Sequence, residues 1–125
     1  MAMISPKCLE NLIEMGRWMG QADANMEQHM IVPNRQFDVI AEFNLQEVER
    51  MRLKLLETCP QREGRETDED DPRYRFQVGL AQIQEHWTSD NKIVAVYKLR
   101  ALQEALLEWV NDIAFAVPSR VAVRT

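Results

Sequence analysis

Three stretches of the chain space their apolar residues at alternating steps of four and three, and that rhythm is the tightest constraint on its fold. Cys8, Leu12, Met15, Met19, Ala22 and Met26 follow it, as do Phe76, Leu80, Ile83 and Trp87, and then Leu99, Leu102, Leu106, Trp109 and Ile113. On an α-helix this spacing lines one face with groups that must be buried against another helix, as in coiled-coil-like packing. Only four glycines and five prolines are spread over 125 residues, too little punctuation for many short strands and turns.

Local start and stop signals agree with the rhythm. Ser5 with Pro6 reads as an N-cap followed by proline at the first helical position, where a missing N–H costs nothing. Gly16 and Gly20 fall beside the first seam and could admit a close neighbour. Pro33 breaks the pattern, and Asn34 can cap a second helix running towards Thr58, with Phe37, Ile40, Val48, Met51 and Leu55 facing inward. Its middle, "NLQE", has the form of a capping box with Asn44 as cap and Glu47 reaching back, so this segment is one bent helix or two shorter ones meeting at Asn44. A strand at "FDVIAEF" is the competing reading of its start. Asp71 and Pro72 repeat the cap-and-proline start for the third seam, Ser89 or Asp90 caps the last helix, and Pro118 ends it, leaving "SRVAVRT" as part of a short tail over 118–125. The short link between the last two helices makes them an antiparallel hairpin.

The expectation is therefore an all-α fold, an antiparallel bundle of four or five helices, forming a single domain over 1–125 with one polar acidic loop at 59–71. A chain of this length buries roughly two thirds of its unfolded surface, enough for a core without metal or disulfide staples. The loop ends in four consecutive acids, Asp68 to Asp71. They read as a solvated surface segment, as an acidic handle for an Arg-rich partner, or as charge favouring the helix N-terminus that follows.

Charge and composition narrow the function classes. The net charge is −5, with 20 acidic against 15 basic residues, and the basic residues are dispersed, with Arg50 and Arg52 the densest helical pair. Long-range electrostatics of this sign repel a phosphate backbone, so no nucleic-acid partner is expected. No segment approaches 18 consecutive apolar residues, which predicts no membrane partner. Cys8 and Cys59 make no C-x-x-C motif and no secretory leader is visible, which points to a cytoplasmic protein with reduced thiols. Cys8, on the first seam, reads as a small core residue, and Cys59 as a loop thiol.

Few constellations carry chemistry. Met26 and Ile83 stand three residues before His29 and His86, so neither histidine completes the Glu-x-x-His of a di-iron bundle. No glycine-rich loop follows a strand, and no nucleophile–base pair is evident. What remains is "EALLEWVNDIAF", in which Glu104, Glu108 and Asp112 stack along one helix face about 140° from the Leu99–Ile113 seam at roughly 100° per residue. Like charges at i, i+4 cost about 0.2–0.5 kcal/mol per pair, and no basic residue in that helix evidently offsets them except Arg100. An uncompensated row of acids points to a partner, a cation or an arginine brought by something else.

The stretch "EWVNDIAFAV" resembles one motif of the all-α nucleotide pyrophosphohydrolases of the MazG and dimeric dUTPase kind. Their bundles hold magnesium with E-x-x-E on one helix and E-x-x-D on another. Here Glu108 and Asp112 are one residue too far apart, and the pairs Glu63 with Glu66 and Glu66 with Glu69 fall in the loop. The resemblance covers about ten residues and implies such an enzyme, with Mg2+ as cofactor, only through Glu104, Glu108 and Asp112.

The reading the sequence favours is non-catalytic: a small protein–protein interaction module with an adaptor, inhibitor, immunity or chaperone-like role, regulatory in character and able to self-associate. Seven methionines, four of them from Met15 to Met30, supply the adaptable surface that such proteins use. Trp18, Met15, Met19 and Met26 are the expected partner-binding residues, Trp18 because it lies beside the seam and tryptophan is favoured at binding hot spots.

Overall fold

The computed structural model describes residues 4–64 and 67–124, with side chains to residue 115. It is all-α, with four helices packed together: α1 (Pro6–Ile31), α2 (Arg35–Thr58), α3 (Pro72–Thr88) and α4 (Lys92–Arg124). No strand occurs among the described residues, so "FDVIAEF" is helical.

The predicted caps act through ordinary side-chain chemistry. Cys8 N–H donates to Ser5 Oγ at 3.1 Å, Gln36 N–H to Asn34 Oδ1 at 2.8 Å, and Arg73 N–H to Asp71 Oδ1 at 2.9 Å. Each satisfies a donor that the first helical turn would otherwise leave unpaired. The last helix differs from expectation: Ser89 closes α3 instead, its N–H donating to Glu85 O, and α4 starts at Lys92 with Asn91 O accepting from Ala95 N–H. Nor does Pro118 end α4, which runs to Arg124. An interior proline removes one main-chain hydrogen bond, a local cost that does not by itself stop a helix.

The molecule is two hairpins. α1 runs against α2, so that Cys8 meets Cys59 at one end and Asn25 meets Asn44 towards the other. α3 runs against α4 in the same way, with Phe76 edge-on to Trp109 at 5.6 Å. The seams form one core: Cys8, Met15, Met19, Ala22 and Met26 of α1, Phe76, Leu80, Ile83 and Trp87 of α3, and Leu99, Leu102, Trp109 and Ile113 of α4 are all buried, with Leu12 and Leu106 packed against them. Between hairpins, Trp87 Nε1 donates to Asp38 O at 3.2 Å, Lys92 Nζ lies 3.4 Å from Asp38 Oδ1, and Arg100 reaches Glu27 at 3.0 Å.

α2 is unbroken at Asn44. The local capping signal loses to a tertiary contact: Asn44 is buried against α1 and its Oδ1 accepts from Asn25 Nδ2 at 2.9 Å. Val48, Met51 and Leu55 are buried as expected, but reading Asn44 as a cap hid Ala41 and Leu45, which continue the same seam, and Ile40, expected inside, is 41% exposed. A fifth helix is therefore not present among the described residues. The close approach expected at Gly16 and Gly20 is also absent, because a Cβ at either would meet nothing within 4 Å. The tight glycine is Gly79 on α3, where a Cβ would lie 3.1 Å from Leu102 Cδ1.

The two cysteines are bonded to each other, which overturns the expectation of reduced thiols. Cys8 and Cys59 are joined with a Cα separation of 4.8 Å, although they are 51 residues apart in the chain. Antiparallel pairing brings the first turn of α1 to the end of α2, and nothing in either cysteine's local sequence signals that meeting. The ground for placing the chain in a reducing compartment goes with it.

Candidate functional site

The row of acids on α4 finds its counter-charges on other elements. Glu108 pairs with Arg75 of α3, and Asp112 with Arg62 of the 59–71 loop at 3.3 Å. Glu104 is exposed. The like-charge cost that α4 does not offset within itself is offset by arginines 33 and 50 residues away in sequence. Both pairs are partly solvated, so each is worth about 0–1 kcal/mol, comparable to the repulsion it relieves. Among the described residues no three His, Cys, Asp or Glu side chains are grouped so that they could hold a metal ion. Glu108 and Asp112 are thus arginine-paired and Glu104 is exposed, and the three do not form such a group for Mg2+.

The other basic residues singled out by sequence are likewise engaged. Arg50 Nε donates to Glu47 at 2.6 Å, and Arg52 grips Glu49 through Nε and Nη2 at 2.8 and 2.7 Å. Both are i, i+3 pairs along α2. Of the four loop acids, Asp71 has the structural role: it caps α3 and takes Arg73 Nη2 at 2.6 Å, with both side chains buried to about 5% exposure or less. Burial alone would raise the Asp71 carboxyl, but the Arg73 side-chain and main-chain hydrogen bonds and charge, aided by the charge of Arg62, outweigh it and hold the pKa below the usual value. His29 Nδ1 lies 2.9 Å from Asn34 O and 3.2 Å from Asn34 N, and its ring lies edge-on to Trp87 at 5.5 Å, which ties down the α1–α2 turn.

Of the four expected partner-binding residues, only Trp18 reaches the surface. Met15, Met19 and Met26 are 0–2% exposed, so they fill the core and offer no atoms to a partner. The helical period that made them look like a stripe is the period of the buried seam. Trp18 sits at the edge of that core, half-buried, with its ring 5.8 Å from Phe43 of α2 at an interplanar angle of 87°. Its indole N–H is shielded and makes no hydrogen bond among the described residues. Phe43 is 49% exposed and stands within about one turn of Val39 and Ile40, which are also exposed. Sequence reasoning missed these three. The signal was their position off the true α2 seam, which only the helix running through Asn44 reveals.

A second feature lies on the opposite hairpin. Between α3 and α4 is a cleft of about 240 Å³, floored by Gly79, Ala101, Leu102 and Ala105 and rimmed by Arg75, Gln82, Lys98, Glu104 and Glu108. The two alanines leave it open, Leu102 packs against Gly79 in its floor, and Lys98 Nζ donating to Gln82 Oε1 at 3.1 Å closes one end. One further group is under electrostatic tension: Asp23 on α1 has a raised pKa, through burial first and the neighbouring Glu27 second, while Arg100 acts the other way. One of its carboxylate oxygens is shielded and has no hydrogen-bond partner among the described residues.

No protein-family model matches the chain, and comparison with curated proteins and with solved structures finds no match to either. Among the described residues no helix is long and apolar enough to cross a membrane.

Proposed function

We propose that the protein is a non-catalytic interaction module that binds another protein through the outer side of its α1–α2 hairpin. The observation that carries this reading is the Trp18–Phe43 pair, half-buried and edge-on, continued by exposed Val39 and Ile40. Aromatic side chains braced by each other are already ordered, so a partner that covers them loses little rotamer entropy on binding. Tryptophan anchors of this kind carry a large share of binding energy where they occur. Adaptor, inhibitor, immunity and chaperone-like roles all use such a surface. The arginine-paired acids of α4 supply no comparable support for the enzymatic alternative.

The test compares proteins retained from native lysate by the wild type and by Phe43→Asp, an exposed position where the substitution leaves the core intact. Partners lost by the variant, with about thirtyfold or greater weakening when measured individually, are the expected result. Identical capture by two equally folded chains would refute the assignment of this face.

A further inference from the structure

We infer that the side of α1 turned away from α2 is a self-association surface, on which α1 of a second copy docks antiparallel about a two-fold axis crossing the helix at the level of Glu14 and Met15. This rests on α1 and the adjoining edge of α4. It is independent of the Trp18–Phe43 surface, which lies on the opposite side of α1.

Leu9, Ile13, Gly16 and Gly20 follow one another at steps of four, three and four, each one position after the seam residues Cys8, Leu12, Met15 and Met19. One position turns an α-helix by about 100°, so these four form a second stripe beside the core. Unlike the first, it is uncovered: Leu9 is 54% and Ile13 58% exposed, and a Cβ at either glycine would meet nothing within 4 Å. Asn11, Trp18 and Asn25 mark the side of α1 that meets α2, and the Glu27–Arg100 pair marks the side nearest α4. Leu107, two turns beyond Arg100 on the same side of α4, is 64% exposed, so the edge of α4 beside the stripe is open as well.

The stripe has a large half and a small half, and that asymmetry selects a second copy of itself. An axis of this kind makes residue i of one chain meet residue j of the other and j meet i. Leu9 then falls against Gly20 of the second copy and Ile13 against Gly16, each contact made twice. The aliphatic side chains enter positions where the facing helix carries none, as knobs enter holes between antiparallel helices. The same axis keeps each flank of the stripe on its own side. Glu10 and Arg17 are both exposed and lie seven positions apart, hence on one flank, so Glu10 of each copy meets Arg17 of the other. Both charges are available for this: Arg17 makes no ion pair among the described residues, and Glu10 reaches only Lys7, at 3.9 Å. A parallel arrangement would set glycine against glycine and carry Glu10 and Arg17 to opposite flanks, away from each other. Size and charge therefore select the same antiparallel register.

The test is sedimentation velocity on the full chain. The wild type is expected to exceed its 14.6 kDa monomer mass and approach twice that value by about 100 μM. Glu10→Arg and Arg17→Glu should each weaken association about tenfold, while the double reversal restores it to within about threefold of wild type. Gly20→Met, which places a side chain where Leu9 of the second copy sits, should abolish association at that concentration, although the monomer has room for it and the added apolar surface would strengthen non-specific clustering. Phe43→Asp should leave association unchanged. All these side chains lie outside the core, and circular dichroism checks that each variant is folded. A wild type that stays monomeric, a Gly20→Met chain that associates as well as or better than wild type, a double reversal that fails to restore association, or a loss caused by Phe43→Asp would each overturn the inference.

Discussion

Reducing the Cys8–Cys59 bond should measurably destabilise the fold without removing an atom from its core. The bond closes a chain segment of 51 residues, and the loss of loop entropy in the unfolded state corresponds to about 4 kcal/mol at 25 °C. Domains of this size are stable by only about 5–15 kcal/mol, so the reduced chain should remain folded but become markedly easier to unfold. The thermal midpoint should fall by roughly 10–20 °C. The bond is not alone at that end of the molecule: Asn11 Nδ2 donates to Thr58 Oγ1 at 3.0 Å, and Gln61 links Leu55 O and Cys59 O to the Trp109 indole N–H. These contacts hold the native geometry after reduction, which is why the loss should act chiefly through the unfolded chain. Urea denaturation followed by tryptophan fluorescence, with and without a phosphine reductant, measures the difference. Alkylation and intact mass establish the state of both thiols in each sample. A midpoint unmoved after both thiols have been shown to be reduced would refute the reasoning, as would two free thiols in the folded, unreduced protein.

Two other outcomes test the packing and the electrostatics. Gly16→Ala and Gly20→Ala lie in open helix interior and should each stabilise by about 0.5–1 kcal/mol, whereas Gly79→Ala, set 3.1 Å from Leu102, should gain less or lose stability. Equal gains at all three positions in chemical denaturation would show that α3 and α4 are not closely packed at Gly79. Asp71 ionises more readily in the folded chain than in the unfolded one, so its contribution is present above the unfolded value of about pH 3.9 and is lost as pH falls through the lower folded value. Asp71→Asn should therefore lower stability near neutral pH and flatten its acid dependence; an acid limb identical to that of the wild type would contradict the role given to the Asp71–Arg73 pair.

The amino-acid sequence by itself determined the helices and most of what they bury. Periodicity and capping are interactions over three or four residues, so the seams from Cys8, Phe76 and Leu99 and the caps Ser5, Asn34 and Asp71 could be read directly. The same local view failed where a local signal competed with a distant contact. Asn44 carries the form of a cap, but its amide bridges to Asn25, and the helix continues through it. The methionines repeat like a docking stripe, but α2 and the other helices cover them.

Tertiary structure alone decided the disulfide, the arginine partners of Glu108 and Asp112, the exposure of Phe43 and the cleft at Gly79. Each depends on the register in which helices pair, and residues 51, 50 and 33 positions apart are brought together only by that register. A helix specifies which of its faces is apolar through neighbours one turn away. What that face meets is set by the side-chain packing of the whole core, which no single segment encodes.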